Sequence, residues 1–572
     1  MYLRTIQRRN KDGSVVRYVQ LAHNHRKGTN TQAEVLVHLG REDRLDMQGL
    51  RRLVGSIGRY LDGVGALPAG GPDDALSVER SRTLGAVWLL DGLWRRLGVD
   101  GALRTVLGAR RFTTDVERVL FAVVANRAVD PMSKLSAAEW VSQDAAIPGL
   151  AGMDEDHAYR AMDLLVAADT EARVQEAVFF AAANLLNLEV DLLLFDTTSS
   201  FFERDEPERG AGAFRVYGHS KDHRPDLPQI VIGLAVTREG IPVRCWCWPG
   251  NTQDMTVLPQ VKDDLRGWRL HRIVWVIDRG FSSEENLAYL SRAGGHWIAG
   301  ERMRDGSADA QLALSRQGRY QTVRDNLRVK EVHIGQGDAA GRFVVCHNPE
   351  QAERDRRKRE QQLIVITTEL ERIAQLRAKA HATTAKQTTA GRRAKAAKAA
   401  AAEHLKAECA LRDHPALGRL LRQTPGGRLV IDRAKVRREQ RLDGKFLLST
   451  SDPDLSAEDV ALGYKNLLEA ERAFRDLKTT LELRPVYHHL ERRIRAHVLL
   501  CWLALLLVRV AERQTASTWR RIAAELGRLH LVTLTGPAGR VQQTTALTPA
   551  QREFYAATGI NPPPRVTSLQ PT

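Results

Sequence analysis

Asp196 closes the apolar run Leu192 to Phe195 in "DLLLFDTTSSFFE" and is followed by four hydroxyl residues, Thr197 to Ser200. Asp278 closes a second apolar run, "IVWVID". A carboxylate at the end of a buried run is costly unless it is paired or coordinates a cation. Two ionised carboxylates side by side repel each other, and divalent cations between them remove that repulsion. Mg²⁺ takes carboxylate oxygens and keeps waters, which suits phosphate chemistry. Two such ions stabilise both the attacking and the leaving oxygen of a displacement at phosphorus. The plainer alternative is that each Asp merely caps a strand.

A third carboxylate is expected from a helix over "YKNLLEAERAFRDLKTTLELR" (464–484). There Tyr464, Leu468, Glu471, Arg475, Lys478 and Glu482 share one face at helical spacing. An aromatic, acids and bases on one face suit phosphates held around a metal-bound carboxylate. Glu469, Asp476 and Glu482 are rival third ligands to Glu471, and a solvated amphipathic helix shows the same pattern.

The elements that must position these residues follow from local patterning. Strands are expected at 190–197, 228–237, 241–248, 272–278 and 296–302, with helices at 254–266 and 283–293. "REG" (238–240) makes a tight hairpin between the second and third strands. Three meander strands, then helix, strand, helix, strand, is the order of a ribonuclease-H-like mixed sheet. In such a sheet the first and fourth strands are neighbours, which would bring Asp196 beside Asp278. The expected fold class is therefore α/β and multidomain.

Six segments are expected. Residues 1–70 read as a basic β-rich unit and 71–188 as a helical domain, a candidate for DNA binding. "LPAGGPDDA" (67–75) is a linker, and capping boxes at Thr114/Glu117 and Ser136/Glu139 mark helix starts. Residues 189–302 form the first part of the core, and 303–445 an insertion with β-like edges and a basic helical hairpin. Residues 446–515 complete the core with the Glu471 helix, and 516–572 are a tail whose last residues are expected to be disordered.

Among 572 residues, 85 Lys and Arg stand against 69 Asp and Glu, a net charge of +16 that favours a polyanionic partner. Hydrophobic content of 43% supports real cores and excludes a disordered chain. No apolar signal segment opens the sequence, and Val498 to Val510 is too short to span a bilayer, so a buried helix is expected. The five cysteines are scattered, so neither structural zinc nor disulfides are expected, consistent with a reducing cytoplasm.

The spacing Tyr464, Leu467, Glu471, Lys478 resembles the Y-R-E-K signature of DDE insertion-sequence transposases. "DRGF" (278–281) is similar to that family's Asp-x-Gly-Phe pattern, and "GHSKDHRPDLPQI" (218–230) to the segment after its first Asp. Leu467 departs from the signature by replacing its Arg, with Arg475 or Arg472 as substitutes. The resemblance implies Asp196, Asp278 and Glu471 as both catalytic and metal-binding residues, with Mg²⁺ as cofactor and Mn²⁺ as substitute. It implies DNA contacts from Tyr464, Arg475 and Lys478. Lys221 and Arg224, with His219 and His223, lie on a basic loop that is either a DNA contact or structural. Phe446, in "KFLLSTSDPD", is either the wedge for a flipped base or a core residue.

The implied activity is cutting at insertion-sequence ends and joining them to target DNA. The implied partners are double-stranded DNA, as terminal inverted repeats and target, and a second copy as a homodimer in the DNA complex. No membrane is expected, and the place of action is the bacterial cytoplasm, on the nucleoid. Alternatives are a structure-selective nuclease without strand transfer and an inactive DNA-binding protein.

Overall fold

Alternating apolar and polar residues along the first forty positions pair as three antiparallel strands, β1 (Tyr2–Arg9), β2 (Val15–Lys27) and β3 (Asn30–Arg41). A helix, α1 (Met47–Asp62), follows them inside the segment 1–70 expected to be β-rich. The computed structural model describes residues 2–571 except 10–14, 28–29, 63–75, 109–114, 168–169, 189, 204–205, 269, 271, 305, 337–340, 386–401 and 537–538. It divides into two compact units, Met1–Gln253 with Leu468–Thr572, and Asp254–Leu467. The linker at 67–75 lies outside the described residues.

In the first unit, β4 (Ser77–Thr83) precedes six helices: α2 (Gly85–Arg96), α3 (Val99–Leu107), α4 (Val116–Val129), α5 (Lys134–Gln143), α6 (Glu155–Leu165) and α7 (Thr170–Leu186). Neither expected capping box starts its helix. Thr114 lies outside the described residues, and the cap of α4 is Asp115, whose carboxylate accepts from the backbone N–H groups of Glu117 and Arg118. In α5 the cap is Ser133, directly after the Pro131–Met132 break, and it accepts from the Ser136 N–H. Ser136 is thus already inside the helix. An extended residue with a side-chain oxygen serves the first unpaired N–H groups best at the earliest position the chain permits.

Next come β5 (Leu192–Phe201), β6 (Gln229–Thr237) and β7 (Pro242–Pro249), an antiparallel meander. The turn at 238–240 has Gly240 at φ +77°, where glycine carries no Cβ cost.

The second unit opens with α8 (Asp254–Arg266), β8 (Val274–Ile277), α9 (Glu284–Ser291) and β9 (His296–Glu301), with β8 and β9 parallel. The order β5, β6, β7, α8, β8, α9, β9 is that of the ribonuclease-H-like class. The insertion contributes α10 (Ala308–Ser315), β10 (Gln321–Arg324), β11 (Leu327–Ile334) and β12 (Gly341–His347). It continues through α11 (Pro349–Ala385), α12 (402–412), β13 (Leu421–Gln423), β14 (Leu429–Ile431) and α13 (Arg433–Gln440). After it, β15 (Lys445–Thr450) inserts between β9 and β12, so within this unit the insertion's strands extend the sheet of β8 and β9. The helical hairpin packs Ile366, Ile373 and Leu411 onto Leu420, Leu421 and Leu429, and Arg377 pairs with Glu408. Most of the basic run 381–400 lies outside the described residues.

The unit ends in α14 (Ala457–Lys465), and the first unit resumes with α15 (Leu468–Thr479). The single helix expected over 464–484 is therefore two. Short i→i+3 bonds, Asn466 N to Gly463 O and Leu467 N to Tyr464 O, tighten the chain at the break. Tyr464 belongs to α14, and Glu482 lies beyond α15 at φ +43°.

Then α16 (Glu491–Thr515) runs through the core. It is long and apolar enough to cross a membrane, but 94% of its most apolar window is buried inside the protein. The tail is ordered as far as Pro571, against the expectation of disorder in its last residues. It forms α17 (Trp519–Leu526), β16 (His530–Gly536), β17 (Gly539–Thr544), α18 (Pro549–Thr558) and β18 (Val566–Pro571). β4 joins this sheet as the antiparallel partner of β16, so the segment after the linker begins with a strand and not a helix. Tyr555 on α18 is 1% exposed and donates to the Gly85 carbonyl, anchoring the tail in the core.

Candidate active site

Asp196 does not end its strand. β5 continues for five more residues, and Thr197, Thr198, Ser199 and Ser200 are all buried within it. Buried hydroxyls need partners. Lys221 Nζ donates to Thr197 Oγ1 at 2.6 Å and to its carbonyl at 2.9 Å, Lys478 Nζ donates to Thr198 Oγ1 at 2.7 Å, and the Lys221 N–H donates to Ser199 Oγ at 2.8 Å. These donors hold a polar half-strand in register, and periodicity alone could not foresee them. Asp196 is one of the two positions of β5 that are not fully buried, with its side chain 22% exposed. Its Oδ1 accepts from the Thr197 N–H at 2.7 Å and lies 4.0 Å from Lys221 Nζ.

The helix α15 carries Glu471. Ala470, Ala473, Phe474 and Leu477 form its buried face, and Glu471 and Lys478, seven residues apart, share one flank. The Glu469 carboxylate lies against Gly240, whose turn is joined to the start of β5 through the Thr237–Leu193 pair. Lys478 reaches Thr198, nearer the end of β5. The helix therefore runs along β5, and Asp196 lies between its two ends. Glu471 and Arg475 are exposed. Of the rival acids, Asp476 is paired with the buried Arg509 at 3.0 Å, and burial raises its pKa. Arg472 faces Glu512 at 3.5 Å, and Leu467 is buried.

The basic loop stands over the far end of β5. Asp222 accepts from Lys478 Nζ at 2.8 Å and pairs with Arg484 at 3.1 Å. Burial lowers the Lys478 pKa, and Asp222 opposes that shift. Arg224 is held by Asp226 and lies 5.3 Å from the Phe201 ring centre. His223 has φ +58°, and the His219 carbonyl accepts from Gln229 Nε2. Asp222 and Arg484 were not singled out from the sequence. Asp222 lies inside the quoted "GHSKDHRPDLPQI", but an acid in a basic loop carries no signal until its partners are known.

In the second unit Asp278 lies one residue past β8, and the pairing of Ile277 with Ala299 places it beside Gly300. Tyr464 donates its phenol proton to Asp278 Oδ1 at 2.8 Å. A Cβ at Gly300 would collide with that hydroxyl, so the glycine opens the path for the tyrosine. Phe446, partly exposed on β15, stacks on Tyr464 with ring centres 6.2 Å apart and planes at 26°. Among the described residues no three His, Cys, Asp or Glu side chains form a ready metal cluster.

Residues 194–507, more than half of the chain, match the family described as transposase DDE domain. Residues 3–67 match the N-terminal domain of IS1634 family transposases. No curated protein matches the chain. A solved structure of piggyBac transposase in a synaptic complex with hairpin DNA is similar at 9% identity and a TM-score of 0.31, covering 77% of this chain and 79% of that one. A likeness at that score carries no argument.

Proposed function

The chain belongs to the transposases that carry a DDE domain, and on that premise we propose that Asp196, Asp278 and Glu471 are the catalytic carboxylates of this DNA transposase. The observation that carries the reading is the match of 194–507, which contains all three. The donor set fits divalent metal: three carboxylates offer hard oxygens of the kind Mg²⁺ takes, and Mn²⁺ accepts the same ligands. Asp196, half-buried in a strand buried at all but two positions, favours a cation nearby. A bound pair of such ions supplies Lewis-acid polarisation of the phosphodiester and a nucleophile at neutral pH.

The chain's own residues do the remainder. Tyr464 orients Asp278 through its hydroxyl. Lys478 is a point charge for a flanking phosphate, and Arg475, Lys221 and Arg224 supply further backbone contacts. Phe446 offers an aromatic face for an extruded base. Hydrolysis at an element end frees a 3′-hydroxyl, and that oxygen then displaces a 3′-oxygen of the target strand, so one phosphodiester forms as another breaks. Two copies of the chain hold the two ends, working in the cytoplasm on the nucleoid.

The test uses labelled duplexes carrying the element ends, with Mg²⁺, Mn²⁺ or chelator. The native chain should cut and join with either metal. Asp196→Asn, Asp278→Asn and Glu471→Gln should each lose about 10³-fold in cleavage rate, the equivalent of several kcal/mol, with end binding retained. Cleavage without joined product would leave a nuclease, and wild-type cutting by any variant would remove that residue from the site.

A further inference from the structure

Asp222, 15% exposed on the loop between β5 and β6, carries one cation from each of two other segments. Its Oδ1 accepts from Lys478 Nζ on α15 at 2.8 Å, and its Oδ2 faces Arg484 Nη1, beyond that helix, at 3.1 Å. Lys478 also donates to Thr198, two residues past Asp196 and on the same face of β5. The Arg484 guanidinium carbon lies 4.6 Å from the centre of the Phe201 ring, which Arg224 also approaches. With Lys221 on Thr197, four cations line the second half of β5. Among the described residues, Asp196, Asp222 and Asp226 face them, the last held by Arg224.

Two half-buried cations repel each other, and the carboxylate between them is what lets Lys478 and Arg484 stand together. Asp222 holds both cations at once. Lys478 spends two of its three donors on Thr198 and Asp222, and Arg484 offers a planar fork of five donors of which one faces Asp222. The donors that remain match the oxygens of a phosphate diester.

We propose that Asp222 is a positioning residue that sets Lys478 and Arg484 as a two-point clamp on the DNA backbone beside Asp196, with Arg484 a DNA-contact residue in its own right. The clamp rests on the reading of the chain as a DNA transposase. At about 3.3 Å per strand residue, Thr198 lies about 7 Å and Phe201 about 17 Å beyond Asp196 along β5. With about 3.4 Å of rise per nucleotide, the clamp grips backbone within about five nucleotides of the phosphate at Asp196.

Asp222→Asn gives a test in which simple electrostatics and the clamp predict opposite signs. Removing one negative charge from a basic surface should tighten DNA binding, whereas loss of the clamp should weaken it. Binding of the full chain to a labelled random-sequence duplex is measured by anisotropy across a KCl series. Asp222→Asn and Arg484→Ala should each weaken binding about tenfold and lower the slope of log K against log[salt] by about 1, the signature of one lost phosphate contact. Arg484→Lys should restore the slope. Binding as tight as the native chain's or tighter, with an unchanged slope, overturns the clamp. If Asp222→Asn does not fold by thermal melting, Arg484→Ala answers alone, because it leaves the Lys478–Asp222 pair in place. A native chain that neither binds nor cuts DNA would sink the functional reading instead; native cutting with indifferent variants would sink only the clamp.

Discussion

Lys134 stands in the first turn of α5, 3% exposed, and burial, reinforced by the nearby Arg127, lowers its pKa from the ordinary lysine value to about 7. Unfolded, the same lysine titrates near 10.4. Between these values the unfolded chain holds more protons than the folded one, so this group makes stability rise with pH from about 7 to about 10.4, and its cost is fully present below 7. Chemical denaturation at pH 7 and pH 9 should show the native chain gaining about 2 kcal/mol more than Lys134→Met over that interval. An equal gain in the two proteins would mean the lysine stays charged in the core. At this scale the sequence shows Asp196, Asp278, Glu471 and Lys478 as candidates because their types and spacing are local facts. It cannot show Asp222 or Arg484, because each matters only through what it meets.

Among the elements, the loop 218–228 depends on a close approach of backbones. A Cβ on Gly218 would run into the Gly250 carbonyl oxygen, and Gln229 Nε2 ties the same place together by donating to the His219 and Gly250 carbonyls. This packing holds Lys221 over Thr197 and Asp222 over Lys478. Gly218→Ala should therefore push the loop away from β5 and weaken duplex binding by about tenfold, as for loss of one or more phosphate contacts, with melting lowered by a few degrees. Unchanged affinity would show that the loop does not set the basic surface. Periodicity read the strands and helices of 190–302 to within a few residues, since the strands are largely apolar runs and the helices carry an apolar face. It misread 464–484 as one helix, because the face survives the break at Asn466 and only the backbone bonds there reveal it.

For the molecule as a whole, a net charge of +16, with several Arg on the N-terminal strands β1 and β2, favours a polyanionic partner. If two copies hold the two element ends, light scattering of the saturated complex should give two chains and two end duplexes. A complex of one chain and one duplex that still joins ends to target would remove the homodimer. The ordered tail also belongs to this scale. Its pattern "HLVTLTG" alternates as a strand should, yet it needs β4, more than four hundred residues earlier, to pair with.

What the sequence determined by itself is the order of the core elements and which carboxylates stand as candidates, because apolar period and motif spacing are carried by neighbouring residues. Only the tertiary structure decided that β5 runs on through its buried hydroxyls to Phe201, since the donors to Thr197, Thr198 and Ser199 come from a loop and from α15. It likewise decided that Lys478 and Arg484 meet on Asp222. Burying a polar group or pairing two cations is settled by partners distant in the chain, and no local pattern encodes them.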